Sequence, residues 1–137
     1  MKKGLIILFV VIGVFALIIS GGILIFSQQA KALFLEIETE HAAIGELDLR
    51  KVPDGVYKAK FGHIPVFVDL EVYVSAHHID TIRIVEQSSG PGYGAHQILG
   101  EILEEQQPKV DIVTGATISS KCIMVAVNKA LMRREKD

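Results

Sequence analysis

Gly4 to Phe26 is a run of 23 residues without a charged side chain. As a helix rising about 1.5 Å per residue, it can cross a hydrocarbon core about 30 Å thick. Hydrophobic residues make up 50% of the chain, and much of the excess sits in this run. Lys2 and Lys3 precede it, which favours a cytoplasmic N-terminus and places everything after Phe26 outside the cytoplasm. A cleaved signal peptide is the competing reading, because Ala30-Lys31-Ala32 has the small-x-small look of a cleavage site. Against it, the apolar run exceeds the roughly 7–15 residues of a signal core. Gly21-Gly22 interrupts the run without shortening it, and no lipidation cysteine lies near its end. The expectation is an uncleaved, single-pass anchor over residues 1–27.

Residues 28–47 are acidic and apolar by turns. Leu33, Ile37, Ile44 and Leu47 recur at helix-like spacing, and Glu36, Glu38, Glu40 and Glu46 fall elsewhere. Two readings stand side by side: a helical stalk that can pack on the following domain, or a solvated spacer. The domain proper spans 48–137. Of 14 basic residues two lie ahead of the anchor, leaving 12 against 16 acidic ones, a net charge of −4. That balance, without basic blocks, argues against nucleic acid as a partner. Cys122 is the only cysteine, which excludes an internal disulfide and a cysteine-built metal centre. Its helical position suits a small buried hydrophobe.

Val52-Pro53-Asp54-Gly55 places a turn ahead of a first strand. Residues 66–74 alternate apolar and polar side chains over part of their length, and 78–85 carry Ile79, Ile82 and Ile84. These read as an antiparallel hairpin turning at Ala76-His77. His77 and His78 invite a metal hypothesis, but adjacent strand residues point to opposite faces and no further ligand is suitably spaced. Gln87 to His96 is a glycine-rich loop. Ala95 to Gln106 follows as a helix with an apolar face of Ile98, Leu99, Ile102 and Leu103, and Pro108 ends it. The run 104–107 reads as its solvated end. A last helix, Ser120 to Arg134, buries Ile123, Val127, Ala130 and Leu131, with Arg133, Arg134 and Lys136 suited to its C-terminus. The expected class is α+β: a small antiparallel sheet packed with two or three helices, preceded by one transmembrane helix.

Between those helices lies Asp111-Ile112-Val113-Thr114-Gly115-Ala116-Thr117-Ile118-Ser119-Ser120. Val110 to Val113 reads as a brief strand or extended lead-in, and Gly115 allows a tight bend. A helix N-terminus after a glycine turn offers N–H groups and a favourable dipole to an anion. Thr114, Thr117 and Ser119 would stand beside a phosphate bound there. On local pattern alone, helix capping explains the same hydroxyls.

Asp111-x-x-Thr114-Gly115-Ala116-Thr117 resembles the flavinylation motif of the bacterial FMN-binding domain family. That domain occurs in peripheral subunits of ion-pumping NADH:quinone and ferredoxin-linked oxidoreductases and in small membrane-tethered proteins. Asp54-Gly55-Val56-Tyr57 is similar to the family's Asp-Gly-x-Tyr opening, and Pro91-Gly92-Tyr93-Gly94 to a Pro-Gly-x-Gly loop of some members. Ala76-His77 departs from the Asp-Gly often found at that turn. The resemblance implies FMN held as a phosphoester on Thr117, installed from FAD by a flavin transferase. It implies cofactor contacts from Asp111, Thr114, Gly115, Ala116 and Ser119, and from Gly92, Tyr93 and Gly94. Asp111 would serve recognition or metal-assisted transfer by the transferase, or simply cap the turn. Tyr93 could pack on the flavin ring or be a surface turn residue, and His96 could meet the flavin or sit exposed. The function so implied is an extracytoplasmic electron carrier, more than a stand-alone catalyst, working with redox donor and acceptor proteins. A non-covalent FMN module and an accessory subunit of a quinone-linked, ion-translocating membrane complex are the alternatives.

Overall fold

The computed structural model describes residues 2–88, 95–112 and 114–132, with the side chains of Ala95 and His96 undescribed. Contacts divide the chain into two units, Met1–Ala32 and Leu33–Asp137. Helix α1 runs Lys2–Ala42. Its most apolar 18-residue window has a mean hydropathy of 2.9, with none of it buried, so the helix is long and apolar enough to cross a membrane.

In the second unit, alternation along residues 66–74 decides the sheet. Strands β1 (Gly55–His63), β2 (Val66–Ser75) and β3 (His78–Ser88) form an antiparallel meander in the order β1-β2-β3. Val66, Val68, Leu70, Val72 and Val74 turn one face of β2 into the core. Ala59 and Phe61 of β1 and Ile79 and Ile82 of β3 join them. Helices α2 (Ala95–Glu105) and α3 (Thr117–Met132) supply the opposing layer, α3 against β1 and β2, and α2 against β3 and α3. The α+β class read from the sequence is what the structure shows.

The β2–β3 turn is the tight two-residue kind, with Ser75 paired to His78. Its central residues have positive φ, 47° at Ala76 and 64° at His77. Hairpin turns of this hand match the twist of the strands, and glycine and asparagine suit them best. A side chain with a Cβ costs roughly 1–2 kcal/mol per residue in that region. Replacing the pair by Asn-Gly (Ala76→Asn, His77→Gly) should therefore stabilise the domain by about 1–2 kcal/mol. Thermal unfolding checks this, with a rise in Tm of about 4–8 °C per kcal/mol. An unchanged or lower Tm would show that the turn is not strained.

On the face of the sheet turned from the core, Glu71 is buried although charged, at 6% exposure. Register places it opposite Lys58 on β1 and Arg83 on β3. Lys58 Nζ lies 2.7 Å from Glu71 Oε1. Arg83 Nε donates to Oε2 at 3.0 Å, as does the Tyr73 hydroxyl at 3.0 Å. Lys58, then Arg83, then Tyr73 hold the carboxyl down to about 2 from its ordinary 4.5. A depressed folded pKa adds stability that is present above the unfolded value and is lost as pH falls through the folded one. Stability should thus decline between about pH 4.5 and 2. In Glu71→Gln this part of the acid dependence should vanish when Tm is followed against pH. Parallel curves for the two proteins would rule out Glu71 as its source.

The tail of α1 packs its apolar residues into the second unit. Leu33 and Ile37 are fully buried and Ile44 nearly so. Burial of such side chains stabilises by roughly 1.5–3 kcal/mol each. Lys121 and Lys129 of α3 pair with Glu38 and Glu40. The end of α2 differs from expectation. Gln106 and Gln107 are half-buried, not solvated. The Gln106 amide accepts from Ile79 N–H at 2.7 Å and donates to Ile79 O at 3.1 Å and Leu103 O at 2.7 Å. The Gln107 amide brackets Leu47 in the same way, at 2.9 and 3.0 Å. Each amide copies a strand partner, which hydropathy cannot reveal because glutamine counts as polar wherever it lies.

Candidate functional site

Beyond Gln107 the chain passes Pro108, which is buried, and reaches the motif without forming a strand at 109–112. The lead-in at Val110 is half-buried against the core, while Asp111 and Ile112 are exposed. Thr114 and Gly115 form an exposed turn, and Gly115 has φ of 88°. Among the described residues, chain neighbours aside, no heavy atom lies within 4 Å of where a Gly115 Cβ would stand. Glycine is therefore needed there for backbone conformation and not for space.

Helix α3 begins at Thr117, three residues earlier than the sequence pattern indicates. Its first turn closes with Ser120 N–H donating to Ala116 O at 2.8 Å. Ala116 is therefore the N-cap, and a methyl side chain cannot accept a hydrogen bond from the helix. The capping explanation for the hydroxyls fails at its own position. Thr117 is instead the first helical residue, exposed, at the end where helix N–H groups lack acceptors within the helix. Ala116 is itself buried, at 5% exposure.

The other hydroxyls differ in kind. Ser119 is 8% exposed, which makes it a poorer acceptor for an incoming group than Thr117. Ser120 is fully buried, and its Oγ has no hydrogen-bond partner among the described residues. Lys121 stands one turn after Thr117, and its Nζ lies 2.6 Å from both carboxylate oxygens of Glu38. His41, in the last turn of α1, is held below its ordinary pKa first by burial, then by Lys109 and Lys121. The sequence reading passed over Lys121, although its i+4 spacing from Thr117 was a legible signal.

Gly92, Tyr93 and Gly94 lie outside the described residues, so the ring end of the expected cofactor site does too. Cys122 is buried, with Sγ 3.6 Å from Phe61 O, and burial pushes its thiol up to about 12. It is an inert packing residue, as its helical position suggested. A cleft of about 390 Å³ lined by Leu47, Val52, Leu131 and Met132 lies at the far end of α3, about 22 Å along the helix from Thr117.

Comparison with solved structures finds a crystal structure of the CPE2226 protein from Clostridium perfringens, 20% identical, with a TM-score of 0.52. The match covers 62% of this chain and 90% of that one and concerns the fold alone. No curated protein matches the chain. The FMN-binding domain family matches residues 64–132, a segment that takes in β2, β3, α2, the motif turn and α3. With its meander, its glycine turn and the exposed threonine at the head of α3, the chain belongs to the FMN-binding domain family.

Proposed function

We propose that this chain is a membrane-anchored, extracytoplasmic flavoprotein that carries FMN as a phosphoester on Thr117 and serves electron transfer. The observation that carries the reading is the division of labour at the head of α3. Ala116 occupies the N-cap position, so the exposed Thr117 hydroxyl is not the capping group. The residues fit the phosphate end of FMN. The helix dipole favours its negative charge, Gly115 bends the chain out of its way, and Thr117 offers an alcohol oxygen. Thr117 Oγ1 would form a bond to the flavin-side phosphorus of FAD. The anhydride bond to the AMP phosphate breaks, AMP leaves with the electron pair, and the hydroxyl proton goes to a base of the flavin transferase. The exposed Asp111 is available to that enzyme. FMN, once attached, supplies one- and two-electron chemistry; the protein supplies attachment and placement.

Covalent attachment suits a domain outside the cytoplasm, where a dissociated cofactor would be lost. Lys2-Lys3 ahead of the apolar helix supports that orientation, and external protease should then digest the domain in intact cells. The test of the linkage is the intact mass of full-length protein coexpressed with a flavin transferase. It should rise by one FMN less one water, and the denatured protein should stay yellow. Flavin that leaves on denaturation would favour a non-covalent module instead.

A further inference from the structure

The segment matched by the family begins at residue 64, yet the motif rests on a part of the chain far ahead of it. The tail of α1 meets the helix that follows the motif. Lys121, one turn into α3 after Thr117, is only 13% exposed at its side chain and bonds both oxygens of Glu38 at 2.6 Å. One turn on from Glu38, His41 feels Lys109 from the loop before the motif together with Lys121 from the helix after it. Leu33 and Ile37 seat this tail in the core, so Glu38 projects from a fixed platform. Its side chain is 48% exposed, and an ion pair that open is ordinarily worth little. A lysine side chain only 13% exposed and gripped by two oxygens is a more ordered partner than that average.

The geometry points to Glu38 as a positioning residue for Thr117: by clamping Lys121 it holds the first turn of α3, and so the acceptor oxygen, in place for flavin transfer. This rests on the covalent reading above. Transfer to phosphorus needs the attacking oxygen aligned, and a displacement of about 1 Å can slow such a step by on the order of a hundredfold. A cation at 121 could instead act directly on the phosphate, and charge reversal separates the two roles.

The experiment compares full-length wild type with Glu38→Lys, Lys121→Glu and the double reversal. The rate of flavin incorporation by a transferase is one readout, and hydrogen exchange at the Ser120 amide, which closes the first turn of α3, is the other. Each single reversal should slow incorporation about tenfold and speed Ser120 exchange, and the double reversal should restore both to within about threefold of wild type. Incorporation that stays slow in the double reversal while exchange recovers would overturn the positioning role. Unchanged exchange in the single reversals would overturn it as well. If wild type takes up no covalent flavin, the covalent reading fails by itself, and Ser120 exchange alone decides whether Glu38 holds the turn.

Discussion

Thr117→Ala is expected to abolish covalent flavin completely while leaving the fold intact. Only a hydroxyl can form the phosphoester, and an exposed side chain at the first position of a helix contributes little to packing. Alanine is also the better helix former, by a few tenths of a kcal/mol. The variant should therefore match wild type in Tm, and its intact mass should be that of the bare polypeptide after coexpression with an active transferase. Thr117→Ser should retain part of the label, since the oxygen remains but loses the rotamer restriction of the β-methyl. Thr114→Ala should loosen the turn and keep the label. If Thr117→Ala still carries flavin that survives denaturation, another hydroxyl is the acceptor. Ser119 would be next in sequence, though at 8% exposure it would have to emerge from the domain first.

The largest effect on stability is expected from Gly62→Ala. Gly62 has φ of 84° and sits opposite Phe67 near the β1–β2 turn. A Cβ there would press into Val66 O, stand 3.1 Å from Phe67 Cα and 3.3 Å from Val66 C. All three are backbone atoms, which cannot swing aside as a side chain would. Positive φ costs roughly 1–2 kcal/mol, and the clash with a paired strand adds to it, for about 3 kcal/mol or more in total. Tm should fall by at least about 12 °C. Two other glycines separate the causes. Gly115→Ala meets nothing within 4 Å among the described residues, at φ of 88°, and should lose only the conformational part, about 1–2 kcal/mol. Gly100→Ala, inside α2 with nothing within 4 Å, should gain roughly 0.5–1 kcal/mol. Any other order of the three melting temperatures would refute the assignment of strain to these turns.

Much of this protein was legible from the chain alone. Periodicity did the work where one face of an element meets water and the other the core. The alternation in 66–74 foretold β2, and the apolar stripe of Ile98 and Ile102 foretold α2. The long apolar helix at the N-terminus declared itself by length and lack of charge. The motif was visible because its residues are contiguous.

What only the tertiary structure decided lies where residues distant in sequence meet. Leu33 and Ile37 have the same spacing whether the tail of α1 is solvated or packed, and only the core provides what buries them. Gln106 and Gln107 look like the frayed, polar end of a helix until the backbones of Ile79 and Leu47 are placed beside their amides. The early start of α3 was hidden because a helix that caps on Ala116 carries no capping oxygen in its sequence. Ala116 is itself buried, at 5% exposure, and no local pattern marks it as a cap. The early start also places Thr117 as the exposed first residue of the helix.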